Sequence, residues 1–293
     1  AVVAHIYYDD LANEFLSYFQ NIPMSFDLYV STRPEAVEKL NHLFSKSFGG
    51  ERVHIRAVAN IGRDMAPFVV EFKDIYHNYD LVCWVHSKKT PYSTFSLGDE
   101  WRKYLLDNIL GSTEMVDKII NDFETTPDLG LVFSDHFPPV IPSIGWGSNY
   151  EAALKICKRL GIHITPDATP EYPSGTMFWF RPKALYPIFN LGLKLEDFEM
   201  GSEKMMDGTF AHALETELNF RIEAIDIGGG FPSNSTLHEQ YTPGEESNPP
   251  VGTYAEAITS GLLTGKFTPE HLPTLFLEPG RSLIDNAGYL VSS

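Results

Sequence analysis

Short apolar runs and amphipathic segments take turns along the first 90 residues, and this alternation constrains the architecture more than any other feature. VVAHIYY (2–8) reads as a strand, and LANEFLSYFQNI (11–22) has helical spacing and stops at Pro23. FDLYVST (26–32) is a second strand. PEAVEKLNHLFSKSF (34–48) is a helix opened by proline, and RVHIRAVA (52–59) alternates as a third strand. Strand and helix in alternation build βαβ units, so the expected class is α/β, a mainly parallel sheet flanked by helices. Further on, DEWRKYLLDNIL (99–110) and EMVDKIINDFE (114–124) read as helices and LGLVFSDH (129–136) as a strand. YEAALKICKRLGI (150–162) is a helix stopping near Gly161. GTMFWF (175–180) is a strand, a helix opens at Pro182, and MDGTFAHALETEL (206–218) is a helix with Asp207 in its N-cap region.

The stretch NIGRDMAPFVVEFKDIYHNYDLVCWVHSKKT (60–90) carries the densest chemistry. It reads as loop, amphipathic helix, buried-type strand VCWVH, and a polar, basic strand end. That strand delivers His86, Ser87, Lys88 and Lys89 at its carboxyl end, where open α/β sheets bind ligands. The loop holding Asn60, Arg63 and Asp64 can face the same crevice. Two lysines and an arginine around one crevice suit a diphosphate, because cations offset its charge without a metal. The bland readings are an Arg63–Asp64 ion pair pinning the loop, a solvated lysine pair and a satisfied core histidine.

A net charge of −17 repels nucleic acid and gives no pull toward anionic lipid. No apolar run spans a bilayer and no signal peptide is visible, so a cytoplasmic protein is expected, peripheral at the inner face of the membrane. The two cysteines, Cys83 and Cys157, sit in apolar surroundings. They read as buried thiols in a reducing compartment, with a disulfide as the alternative. The chain begins inside an apparent strand, which reads as a fragment. Every Trp, Met and Cys lies at or before Met206, so residue usage separates a first part, 1–220, from a tail, 221–293.

NIGRDMAP, HSKKT, GDEWR, HFPP, WGSN, YPSGTMFWFRPKAL and DGTFAHALE occur in order over residues 2–218, and together they resemble the rhamnan synthesis F family. The resemblance implies a glycosyltransferase-A-like (Rossmann-like) fold. It also implies glycosyl transfer from a nucleotide sugar such as dTDP-rhamnose to a lipid-linked glycan acceptor, in rhamnose-containing cell-wall and O-antigen synthesis. Glycosyltransferase-A folds usually end a central strand in Asp-x-Asp, which holds a metal on the diphosphate. Here the corresponding strand ends in His86-Ser-Lys-Lys, so metal-independent transfer with no cofactor is expected. An inverting transfer needs a general base, and Asp207 and Asp135 are the candidates. Trp101, Arg102 and His136 are secondary site candidates, although GDEWR reads equally as a helix entry. Trp146, Phe178 and Trp179 read as core. The rival is a non-catalytic assembly module in which the same motifs are structural.

In the tail, IDIGGGFP (225–232) and LFLEPGRSLIDNAGYLVSS (275–293) resemble part of the barrel of fold-type III pyridoxal-phosphate decarboxylases, the ornithine and diaminopimelate class. The resemblance implies phosphate contacts from Gly228, Gly229, Gly230 and Gly280, with Arg281 near a substrate carboxylate. It covers only 221–293, and no lysine matches the family's cofactor lysine. Pyridoxal phosphate is therefore expected only if the tail belongs to a complete barrel. The two parts meet near 218–221 as a natural fusion, an artificial join of two genes or a truncation, and a join or truncation is the expectation.

Overall fold

The computed structural model describes residues 1–87, 96–167, 170, 172–198, 209–216, 224–226, 256 and 274–276. The chain divides into two compact units, Ala1–Phe220 and Arg221–Ser293.

The first unit is an α/β layer around a six-stranded sheet of order β3-β2-β1-β4-β6-β5. Its strands are β1 (Val2–His5), β2 (Leu28–Thr32), β3 (Val53–Ala57), β4 (Val82–His86), β5 (Leu131–Phe133) and β6 (Phe178–Phe180). The first four pair in parallel with one another. β6 runs antiparallel to both β4 and β5, so the sheet is mixed and mostly parallel, in keeping with the mainly parallel sheet expected. An apolar run such as FWF carries no mark of strand direction; direction follows from how the preceding connection returns to the sheet.

Side chains alternate across the strands, and each face packs its own layer. Val2, Ala4, Cys83, Val85 and Trp179 join one apolar cluster. Into it pack α1 (Ala12–Phe19), α2 (Val37–Phe48), α3 (Ser96–Leu110) and α4 (Thr113–Thr125), through residues such as Phe15, Phe44, Leu106 and Ile119. Val3, Trp84, Phe178 and Phe180 join the other. That cluster is closed by α5 (Tyr150–Leu160), α6 (Pro182–Phe189) and α7 (Phe210–Thr216). Phe68 sits at its centre, with its ring 4.9 Å from Trp84 and 5.5 Å from Phe178, Phe180 and Phe189. Trp146, Phe178 and Trp179 are core residues, and both cysteines are buried thiols rather than disulfide partners.

Most helices start and stop where local chemistry dictates. Ser112 caps α4 by accepting from the Met115 amide at 3.2 Å, and Gly161 ends α5 in the left-handed region at φ 75°. The amphipathic helix expected after residue 60 is instead one wide turn, Pro67–Glu71, followed by a short 3-10 turn, Tyr76–Asn78. Pro67 has no amide proton to donate, and the Phe72 amide reaches back five residues to its carbonyl at 3.2 Å. Among the described residues the last helix runs from Phe210 to Thr216, and its capping side chain is Thr209, whose Oγ1 accepts from the His212 amide at 3.3 Å; the expected N-cap residue Asp207 lies outside the described residues. No helix among the described residues is long and apolar enough to cross a membrane.

In the second unit, β7 (Ala224–Asp226) pairs in parallel with β8 (Thr274–Phe276), with Ala224 opposite Thr274 and Asp226 opposite Phe276. Gly228, Gly229, Gly230, Gly280 and Arg281 lie outside the described residues.

Candidate functional site

The strand order reverses at β1. From it the chain builds β2 and β3 on one side, then returns to lay β4 on the other. The crevice outside the carboxyl ends of the two strands at such a switch point is the ligand position of open α/β sheets. His5 ends β1, His86 ends β4, and the two are directly opposite in the ladder. The Ser87 amide continues the pairing by donating to the His5 carbonyl at 2.9 Å. The Ser87 hydroxyl accepts from the Tyr8 amide at 3.0 Å.

His5 is buried, its Nδ1 2.8 Å from the Ser31 hydroxyl at the end of β2. Burial pushes its imidazole down to about 4; the nearby Asp64 charge opposes this shift and His86 adds to it. His86 is also buried. Its Nε2 lies 2.8 Å from the Gly175 carbonyl and 3.6 Å from Asp64 Oδ2. A carbonyl only accepts, so Nε2 carries a proton and donates it.

Two loops deliver these partners, and each holds a residue in unusual backbone geometry. After β3, Gly62 and Arg63 are both left-handed, at φ 61° and 54°. Glycine is required at 62, because a Cβ there would stand 2.6 Å from the Ala66 Cβ and 2.7 Å from the Phe198 ring. This turn sends adjacent side chains different ways. Asp64 goes to His86, while the Arg63 guanidinium lies 2.7 Å from His212 Nε2 on α7. The two side chains thus have separate partners, where the rival to a ligand role was an Arg63–Asp64 ion pair. Asn60, at the start of the loop, is exposed and donates to the Tyr7 hydroxyl at 3.3 Å.

The second loop, residues 172–177, enters β6. Gly175 is left-handed at φ 90° and Thr176 at φ 57°. The loop is buried. The Gly175 amide donates to Glu215 Oε1 at 2.8 Å, and the Thr176 amide to the Pro173 carbonyl at 2.7 Å. The Ser174 hydroxyl is 2.8 Å from His136 Nδ1.

The secondary candidates separate. His136 braces the second loop. Trp101 stacks on Phe137 with ring planes 12° apart, and a Cβ on Gly175 would stand 3.3 Å from its indole. Arg102 is buried and bonds Glu14 Oε2 at 3.0 Å and Asp99 Oδ1 at 2.6 Å, tying α3 to α1. Asp135 is exposed, and its carbonyl accepts from the Ser134 hydroxyl at 2.6 Å. Lys88, Lys89 and Asp207 lie outside the described residues. Sequence reasoning missed His5, Ser31, Ser174, His212 and Glu215. His5 had a usable signal, because it ends a buried strand in a polar group just as His86 does.

Residues 1–224 match the family described as Rhamnan synthesis protein F. The chain belongs to this family. Membership connects it, through the family's description, with rhamnan synthesis. Among similar proteins is an uncharacterized protein, WxcX, of Xanthomonas campestris pv. campestris strain B100, 32% identical over 216 residues. Its counterpart in strain ATCC 33913 has the same identity over the same length. The alignment covers 73% of this chain and 30% of each relative, so the chain spans under a third of the length of the curated relatives it matches.

Proposed function

We propose that the first unit is a glycosyltransferase-A-like domain that transfers a sugar from a nucleotide-sugar donor during rhamnose-containing polysaccharide synthesis. One observation carries this reading. Two histidines, His5 and His86, stand side by side at the switch point of the sheet, beneath loops supplying Asp64 and Arg63. That crevice suits a ligand with hydroxyls and phosphates. In this reading Arg63 and the Lys88–Lys89 pair, which follows β4 directly in sequence, offset the diphosphate charge. Asn60, Asp64 and His86 hold the donor, and Asp207 or Asp135 serves as the base for the acceptor hydroxyl. The acceptor is a lipid-linked glycan reached from the cytoplasmic face, and transfer needs no metal.

The test is nucleoside-diphosphate release from dTDP-rhamnose, with binding followed by calorimetry. Replacing Lys88 and Lys89 together by Ala is expected to weaken donor binding by about 10-fold or more while the fold persists. EDTA is expected to leave turnover intact. Unchanged affinity in the double variant removes the lysines from the site, and Mn²⁺-dependent recovery after EDTA reverses the metal assignment. No binding and no release in the wild type would favour a non-catalytic assembly module.

For the second unit, the parallel pairing of β7 with β8 supports a fragment of a pyridoxal-phosphate barrel, in which the triple glycine follows directly on β7. Its candidate phosphate-contacting residues lie outside the described residues. A pyridoxal-phosphate absorbance band that stays with the protein through gel filtration would show a binding site. A colourless protein would leave a structural remnant.

A further inference from the structure

Among the described residues, Arg63 and Thr176 are the non-glycine residues with left-handed backbone. Such strain costs about 1–3 kcal/mol each and persists only where surrounding structure holds it. Both strained turns are held by the same short helix. His212 and Glu215, three residues apart on α7, lie on one helix face. His212 meets Arg63. Glu215 takes the amide of Gly175, next to Thr176.

The hydrogen-bond directions on this face are fixed by chemistry. Arg63 can only donate, so His212 Nε2 accepts and its lone pair lies there. A neutral His212 then carries its proton on Nδ1, 2.8 Å from the Thr209 hydroxyl that caps the helix. On the other side, Glu215 Oε1 accepts from the Gly175 amide, and the Gly175 carbonyl accepts from His86 Nε2. The two bonds flank a single α-carbon. With Gly175 anchored, its carbonyl has one position, and His86 must present Nε2–H to it.

We propose that Glu215 is a positioning residue for the site: by anchoring Gly175 it locks His86 in the tautomer with the proton on Nε2 and the lone pair on Nδ1. Its consequence for transfer rests on the glycosyltransferase reading above; the tautomer does not. In a donor site, a histidine of one fixed tautomer and ring orientation offers a single hydrogen-bond polarity, and misplacement of such a group costs about 10- to 100-fold in rate.

The experiment is nitrogen-15 NMR of histidine-labelled protein, with the His86 signals assigned by their absence in His86→Asn. The wild type is expected to show a protonated Nε2 and an unprotonated Nδ1 at neutral pH. Glu215→Ala removes the acceptor for the Gly175 amide and is expected to give mixed tautomers. Glu215→Gln keeps an amide oxygen in the same place and is expected to restore the wild-type pattern. With dTDP-rhamnose, kcat/KM is expected to fall about 10- to 100-fold in Glu215→Ala and to recover in Glu215→Gln.

A wild-type His86 protonated on Nδ1 would overturn the proposal without any variant. A folded Glu215→Ala with the wild-type pattern would overturn it equally. Should Glu215→Ala not fold, the wild-type and Glu215→Gln spectra still decide. If the wild type releases no nucleotide while the tautomer pattern follows Glu215, the transferase reading fails and the positioning role stands.

Discussion

His5 places an imidazole where water is excluded, so its charged form is penalised and its titration falls to about 4. An unfolded histidine titrates near 6.5. Between these values the unfolded chain binds a proton that the folded chain refuses. Stability contributed by neutral His5 is therefore complete above about pH 6.5 and is lost as pH falls toward 4, by up to ~3 kcal/mol. Urea midpoints are expected to drop across this window, and His5→Asn, which keeps a hydrogen-bonding group near Ser31, is expected to flatten the drop. Equal slopes in the two proteins would remove His5 as the cause. The position of His86 at the end of β4 was legible from sequence, because a buried apolar run ending in polar residues marks the ligand edge of a parallel sheet. The partners of His86 were not. Asp64, Gly175 and Glu215 are brought together by contacts spanning up to 89 residues in sequence, and no local pattern encodes them. Arg102, kept from sequence as a secondary candidate beside Trp101, is buried and bonds Glu14 and Asp99, partners that its own motif does not reveal beyond Asp99.

Among the elements, the loop at residues 172–177 concentrates the most constraint. Gly175 sits at φ 90°, and a Cβ there would come within 2.6 Å of Leu105 Cδ1 and 3.3 Å of the Trp101 indole. Gly175→Ala thus combines left-handed backbone strain with overpacking, and about 3 kcal/mol of destabilisation is expected in chemical denaturation. A variant as stable as the wild type would mean that the loop relaxes freely and does not fix the site. The helix expected after residue 60 failed on a related point. MAPFVVEF has an apolar pattern that helices share, but Pro67 removes the amide on which a regular helix depends. The pattern located a buried segment correctly and misjudged its backbone, since periodicity reports burial more directly than hydrogen bonding.

At the scale of the molecule, alternation of strand and helix gave the α/β class, and the carboxyl-end crevice followed from it. What alternation leaves open is strand direction, and here β6 reverses to pair with β4 through Trp84 and Phe178. That reversal puts the loop before β6 at the carboxyl end of β4, which is how Gly175 reaches His86. The site is therefore completed by the antiparallel strand, using residues within the first compact unit, Ala1–Phe220. The family match, residues 1–224, covers the same unit. Its two apolar clusters are assembled from residues between Val2 and Leu214, one on each face of the sheet. A chain deleted of residues 221–293 is accordingly expected to keep one cooperative thermal transition, with the midpoint of the first unit shifted by no more than a few degrees. It is also expected to keep the His86 tautomer pattern. Calorimetry showing a lost or broadened transition in the shortened chain would make the tail part of the fold of the first unit. The acceptor and donor assays would then have to be run on the full chain alone.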